Sequence, residues 1–495
     1  MGLGDRIAGV IRRWLKVDPA WRSIDNVRIR EQYTYETDAM RDRIWYRGDA
    51  DELRQFYGQV SSDSSSSRFW SAVPPGPAVR KLHSGLPAQI VDTLTGIVMG
   101  DYDGMDFPPE EKAAEETWAE MQEAISYPAA VSGGVSETLI VGGGAWKICW
   151  DTAVSEYPYA VFAPEDRITY HTRSGVPCGL SIHSDHTEGN NAYQLEERYE
   201  PGSVRYILRD RHGDPVPLDT VPELSGLQDA DLPDGLMAAV PLQVFPSSRW
   251  PGRGRSIYAN KTDAFDALDE VVSQWMDAIR HGRVIRYIPE NMIPRDKNTG
   301  ALSRMDDFGA DYVSLNPSMG GDDKEADKIQ VTQPEIRYEA YLGSYKAVVD
   351  MCLQGILSPA TLGINIAADS SGESQRERKD ATGFTRNAIT AALETALPKL
   401  AAALLQVHDW LSGRPIGEYH PSVSFGEYAA PDFAARVKAI READAAGAMS
   451  VEAKVEELYG GSKKQDWIDA EIARLKAEQG ISDAGNPPSG KDDLP

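Results

Sequence analysis

The chain has 495 residues, with 51 Lys and Arg against 76 Asp and Glu, for a formal net charge of −25. That length suits roughly three domains. The acidic balance argues against tight, phosphate-neutralising nucleic-acid binding, which needs clustered bases, and no uninterrupted apolar run approaches the ~20 residues that span a bilayer. Cys149, Cys178 and Cys352 lie far apart. An odd count without a CxxC pair predicts neither a disulfide framework nor a structural zinc site and fits a reducing compartment.

Residues 1–16 place Ile7, Val10, Ile11, Trp14 and Leu15 at helical spacing among arginines, without a cleavage site. They read as a short amphipathic surface helix, not a signal peptide. Residues 18–60 are charged and aromatic, with a short helix expected from Asp49 to Tyr57. The run of serines from Ser61 to Ser67 reads as a loop. Leu86, Ile90, Leu94 and Ile97 mark one helix face. Pro108-Pro109-Glu110-Glu111 opens another helix, with Ala114, Trp118, Met121 and Ile125 on its stripe.

From about 137 to 250 the apolar period becomes two. Trp146, Ile148 and Trp150 alternate with polar neighbours, as do Tyr157, Tyr159 and Val161. Tyr193–Tyr199 and Val204–Leu208 flank Pro201-Gly202, a hairpin signal. A helix with Ser256 as N-cap is expected to run to Gly282, about 26 residues and roughly 40 Å long. Phe265, Leu268, Val272, Trp275 and Ile279 form its seam. A turn-rich acidic segment, 283–334, follows, with strand-like stretches at Val284–Ile288, Tyr312–Leu315 and Ile329–Thr332. A second helix is expected from Glu335 to Leu357, with Tyr341, Tyr345, Val348 and Cys352 on one face.

Ser358 to Gly372 reads as a loop. Ser374-Gln375-Arg376-Glu377 is a capping box that opens a helix to Leu411. Leu393, Leu397, Leu400, Leu404, Val407 and Leu411 stripe that helix, and Pro398 inside the stripe predicts a kink. Val423–Phe425 is a short strand. Residues 431–479 carry three short helices broken near Gly447 and Gly460-Gly461, and the tail from Ile481 is disordered by composition.

No stretch promotes a catalytic reading. Gly485 to Lys491 imitates a phosphate loop, but Asp492 stands where Ser or Thr would meet magnesium, and no strand precedes it. Val141-Gly142-Gly143-Gly144 lacks dinucleotide spacing and reads as a bulge or tight turn. His183-x-x-His186 has no third ligand in view, and Asp101-x-Asp103-Gly104 is too short for a calcium loop. No metal, cofactor or catalytic residue is expected.

Several stretches together carry a resemblance. They are Trp45-Tyr46-Arg47-Gly48-Asp49 with Leu53, Phe56 and Tyr57; Gly143-Gly144-Ala145-Trp146-Lys147 leading to Trp150-Asp151; Ser256 to Asp269; and Leu362-Gly363-Ile364 with Ser371-Gly372-Glu373 and Arg376-Glu377-Arg378. In this order over residues 30–480, the sequence resembles the portal proteins of tailed bacteriophages, in particular the siphophage portal family. The resemblance implies an α+β fold with long stem helices, a kinked long helix, an α/β wing domain and a small helical crown. In this chain it places an N-terminal segment and wing at 1–255, a stem helix at 256–282, a clip at 283–334 and a second stem helix at 335–357. A tunnel loop at 358–372, the kinked helix and a wing strand at 373–428, a crown at 429–480 and a disordered tail at 481–495 complete it.

It further implies a ring, typically a dodecamer, at one capsid vertex of the virion, assembled in the host cytoplasm. Double-stranded DNA passes through the ring non-specifically. The partners implied are terminase, capsid and scaffolding proteins and a head–tail adaptor, with no membrane. Twelve copies at −25 each give a ring near −300 before counter-ions, a field that favours sliding over sticking. Phe265, Trp275, Tyr341 and Tyr345, too large for a lone hairpin to cover, are the expected ring contacts. Asn365, Asp369, Ser370 and Ser371 are the expected channel loop, and Asp306, Asp307 and Asp311 the expected docking acids of the clip. The alternatives are another viral head or tail structural protein, which would lack the helix–insert–helix order, and a metal-dependent viral enzyme, which would need clustered carboxylates or histidines in the β-rich region.

Overall fold

The computed structural model describes residues 34–60, 68–71, 79–282, 285–289, 295, 311–315, 330–332, 335–364, 372–426, 433–446, 449–459 and 465–478. The expected N-terminal helix at 1–16, the serine run and the tail beyond 480 lie outside them. The chain divides into two units, 1–425 and 426–495.

Helix α1 (Tyr35–Arg47) starts at Thr34, whose side chain accepts the Thr37 amide, and ends at Gly48 with φ +70°. The sequence gives no clear stripe for it, because buried carboxylates stand where apolar residues would. Asp38 and Asp42 are 9% and 3% exposed and both pair with Arg41. Helix α2 (Ala50–Val60) follows, as Asp49–Tyr57 predicts. Helix α3 (Leu86–Gly100) buries Leu86, Ile90, Val91, Leu94 and Val98. Strand β1 (Tyr102–Asp106) leads to α4 (Lys112–Ala124), which buries Ala114, Trp118 and Met121. Helix α5 (Tyr127–Val141) is a correction to the period-two reading from 137. It is apolar on most sides because most of it is buried.

Two sheets follow. Strands β2 (Gly143–Cys149) and β3 (Tyr159–Pro164) form a three-stranded antiparallel sheet with β10 (Ala239–Gln243), in the order β10-β2-β3. Trp146 crosses from this sheet onto α5, with its Nε1 3.3 Å from the Ala130 carbonyl. The larger sheet runs β4 (Ile168–Arg173), β5 (Val176–Glu188), β6 (Asn191–Glu200), β7 (Ser203–Asp210) and β8 (Pro215–Val216), and the short β9 (Ala230–Asp231) also pairs β7. The β6–β7 hairpin closes Glu200 on Ser203 across Pro201-Gly202, as the dipeptide predicts, with Gly202 at φ +85°.

Glu165 ties these parts together. Fully buried, its carboxylate accepts from the Tyr35 hydroxyl at 3.1 Å and the Gly254 amide at 2.9 Å, and also from the Gln243 side-chain amide. Burial raises its pKa, and these donors with Arg253 oppose the shift. The Tyr35 hydroxyl is also 2.9 Å from the Val141 carbonyl. Beside it the chains at Gly142 and Gly254 cross so closely that a Cβ on Gly254 would lie 2.0 Å from the Gly142 oxygen. The glycine run at 142–144 is thus a helix stop, with Gly142 at φ +112°, and a backbone crossing.

Helix α6 (Thr262–His281) is shorter than expected. Ser256 accepts the Tyr258 amide at 3.0 Å and so caps a turn ahead of the helix, which spans about 30 Å. Strands β11 (Ile285–Pro289), β12 (Asp311–Leu315) and β13 (Gln330–Thr332) form a sheet in the order β12-β11-β13. β11 pairs β12 in parallel and β13 antiparallel. Helix α7 (Tyr338–Leu353) returns to the body.

Helix α8 (Gly372–Leu411) runs unbroken through Pro398 over 40 residues. The proline withdraws one bond from the Glu394 carbonyl, and Glu394 is on the exposed side of the helix. Leu393, Leu397, Leu400, Leu404 and Val407 are buried in the main core, whereas Leu411 is 46% exposed. Its stretch Ala381–Leu411 is long and apolar enough on composition to cross a membrane, but 56% of the apolar window is buried inside the fold, as a core helix requires. Strand β14 (Ser422–Phe425) then pairs with β1.

The second unit holds α9 (Phe433–Ala445), α10 (Val451–Tyr459) and α11 (Gln465–Glu478), the three helices expected. Ile440, Val451, Val455 and Ile468 are buried, and Tyr459 meets Trp467 edge-on at 5.1 Å.

Asp42 provides a test of the α1 packing. Burial raises its pKa from 3.8 to about 6, against the pull of Arg41. A folded pKa above the unfolded one adds stability that is complete below about pH 4 and is lost as pH rises through 6. Asp42→Asn removes that dependence. In urea melts from pH 4 to pH 7, the stability of the native chain relative to the variant should fall by about 2 kcal/mol. Parallel pH profiles would contradict a buried, proton-retaining Asp42.

Candidate functional surface: the helical hairpin

The candidate surface is the α6–α7 hairpin, whose two helices are joined through the β11–β13 sheet. Its two helices meet along a short seam. Trp275 stacks on Tyr341 with ring centroids 6.2 Å apart and planes at 6°. Nearer the sheet, Gly282 faces Ile336 so closely that a Cβ would lie 2.6 Å from the isoleucine side chain. That contact explains the small residue at the turn out of α6. Ala278, Gly282, Ile336, Ala340 and Tyr341 line a cavity of about 380 Å³ at this end.

The other end is anchored to the body. Lys261 donates from Nζ to the carbonyls of Met351 at 2.9 Å and Gln354 at 2.7 Å. A cation thus closes the C-terminus of α7, where the helix dipole favours it. Cys352, Leu353, Ile356 and Leu357 are buried beyond it.

One face of α6 is polar and buried. The Asp266 carboxylate accepts the amides of Phe69 at 2.9 Å and Trp70 at 3.2 Å. Asp269 accepts the Trp70 indole N–H at 3.1 Å and the Ser84 amide at 2.8 Å, with His83 Nδ1 at 2.8 Å. The Ser273 hydroxyl accepts the Leu82 amide at 2.9 Å. Burial raises the Asp266 pKa, and the two amides and Arg68 counter it. The sequence reading missed this anchor. Its signal was present as Asp266, Asp269 and Ser273, three and four residues apart and hence on one helix face.

The expected ring residues separate. Phe265 is a correction: it is fully buried in the subunit's own core, between Trp45 and Tyr258, each 5.7 Å away by ring centroid. It leaves no area for a neighbour. Trp275 and Tyr341 are half-buried on each other, and Tyr345 packs part-buried against the main core. The exposed apolar residues of the hairpin are others: Met276 and Ile279 on α6, each 43% exposed, with Tyr338 at 59%, Leu342 at 37% and Met351 at 57% on α7. Asp311 opens β12 opposite Ile285. Asp306, Asp307, Asn365, Asp369, Ser370 and Ser371 lie outside the described residues.

The β-rich region holds a cleft of about 790 Å³ between the two sheets, lined among others by Lys147, His183, His186 and Glu197. Four of its polar side chains are hydrogen-bonded to neighbouring side chains. His183 Nε2 lies 3.1 Å from the Thr169 hydroxyl, and His186 Nε2 lies 2.9 Å from that of Ser184. Glu197 accepts from Lys147 at 2.6 Å and Tyr199 at 2.9 Å. Among the described residues no group of three or more His, Cys, Asp or Glu is placed to hold a metal ion.

No protein-family model matches the sequence, and no curated protein does. Among solved structures, the chain is similar to one in the virion of a native gene transfer agent particle, at 11% identity and a TM-score of 0.38, over 95% of this chain and 99% of that one. It is also similar to a chain in the neck of the native particle computed with C12 symmetry, at 13% identity and a TM-score of 0.37. A third is a chain in the neck of the empty particle computed with C6 symmetry, at 12% identity and a TM-score of 0.38. Each of the two neck matches covers 76% of this chain and 90% of the other. At such identities and scores, likeness decides neither fold nor function.

Proposed function

We propose that this chain is the portal subunit of a tailed phage or phage-like particle, a structural protein and not an enzyme. In this reading it forms a closed ring, twelve-fold by family resemblance, at one vertex of the capsid. DNA is packaged and ejected through the ring. The observation that carries the reading is the hairpin: two helices anchored at one end to a mixed body and ending at the other in a small sheet. That is the stem–clip–stem order the sequence resemblance implies. The apolar residues left exposed on both helices, Met276 and Ile279 on one and Tyr338 and Leu342 on the other, suit burial against neighbouring copies. Two unlike patches on one subunit favour a head-to-tail contact that closes into a ring.

The remaining assignments follow from the same reading. The segment 283–334, with Asp306, Asp307 and Asp311, meets the terminase motor during packaging and a head–tail adaptor afterwards. The loop with Asn365, Asp369, Ser370 and Ser371 lines the channel. Residues 429–480 form the crown, and capsid and scaffolding proteins contact the body. The net charge of −25 keeps the channel from holding the DNA it guides.

The test is location in the particle. When the chain carries a C-terminal epitope tag, gold-labelled antibody on opened particles is expected to mark one site per particle, at a single vertex. Label at many vertices, or along a tail, would assign the chain to another structural role and overturn the portal reading.

A further inference from the structure

The first half of α6 is held by a strap made of residues 68–71 and 79–85. Three side chains on one helix face, Asp266, Asp269 and Ser273, are 7%, 0% and 1% exposed. Together they engage four backbone amides, those of Phe69, Trp70, Ser84 and Leu82, with the Trp70 indole N–H and the His83 ring. Arg68, next to the strap's first donor, pairs with Asp263. Each of the two buried carboxylates thus accepts two N–H groups from the strap.

Where this grip ends is informative. It covers Asp266 to Ser273, and two residues further on Trp275 stacks on Tyr341 of α7. The first half of α6 is thus bonded to the body through the strap, and its outer half carries the ring stack with α7. Apolar packing by Phe265 and Leu268 holds the first half down, but such contacts are non-directional. Hydrogen bonds to carboxylates are short and directional. They fix the rotation of α6 about its axis, and with it the direction in which the hairpin leaves the body.

We propose that the strap is the lock of the hairpin: its bonds to Asp266, Asp269 and Ser273 set the hairpin's orientation, and opening it frees the hairpin to move while the body stays folded. Asp269→Asn keeps the shape but turns one acceptor into an N–H₂ group facing N–H donors. Ser273→Ala is a milder release that removes one acceptor. Glu270→Gln, the same carboxylate-to-amide change at a residue that accepts from Gln274 on α6 itself, is the control.

Hydrogen exchange of the full chain, read by mass spectrometry, tests the lock. In Asp269→Asn, and less strongly in Ser273→Ala, amides of the strap and of residues 274–281 and 338–345 should exchange about tenfold faster or more, while α3, α5 and β2 keep native rates. Glu270→Gln should change none of them. Two results overturn the proposal. In one, the strap opens but hairpin rates stay native, making it a local clip. In the other, body rates rise with the hairpin's in Ser273→Ala as well as in Asp269→Asn, so that strap and body are one folding unit.

Discussion

Gly254→Ala is expected to leave little or no folded protein. The new methyl would sit 2.0 Å from the Gly142 oxygen and 2.8 Å from the Glu165 carboxylate. The obstacle is largely backbone, so no rotamer relieves it. Moving the chain aside draws the Gly254 amide away from Glu165, leaving a fully buried carboxylate short of a donor. Overpacking plus a weakened buried network should cost at least about 4 kcal/mol. Gly252→Ala is the control. Gly252 also has a positive φ of +80° but nothing within 4 Å, so its loss should be about 1 kcal/mol. Soluble yield and urea midpoints measure both. A Gly254→Ala chain within about 1 kcal/mol of native stability would disprove the close crossing.

The second large effect concerns Trp45. It is fully buried, donates from its indole to the Tyr57 hydroxyl at 2.9 Å, and meets Tyr57, His83 and Phe265 ring to ring. Trp45→Ala should cost about 4 kcal/mol through the cavity left behind. Phe265→Ala should lower subunit stability by a similar amount. Because the rings touch, the double variant should lose less than the sum, with a coupling of about 1 kcal/mol. If Phe265→Ala instead disturbs assembly while subunit stability is native, Phe265 is an interface residue after all and its core placement is wrong.

The legible parts of this fold are those where apolar spacing decides the element. The stripes of α3, α4 and α8, the β6–β7 hairpin at Pro201-Gly202, the three strands after Gly282 and the three C-terminal helices follow from periodicity and turn chemistry. Helix α1 was hidden because its inward face carries Asp38 and Asp42, whose burial depends on arginines distant in sequence as well as on Arg41, such as Arg249 on Asp38. Helix α5 was hidden because a helix buried on most sides shows no period. The start of α6 was misplaced because a serine that caps a turn looks the same in sequence as one that caps a helix.

At the candidate surface, sequence gave the hairpin but assigned its aromatic residues too uniformly. Phe265 and Trp275 share one seam, yet tertiary contacts bury the first in the body and leave the second partly open. The strap was illegible as a pair because its donors are backbone amides, which carry no residue code.

The central claim is that the chain is a ring subunit, and native mass spectrometry of the purified full-length protein at micromolar concentration tests it most directly. With a subunit of 54.3 kDa, the account predicts a closed assembly, and a dodecamer would weigh twelve times that, about 650 kDa. A sample that remains at the mass of one subunit across protein and salt concentrations would contradict it.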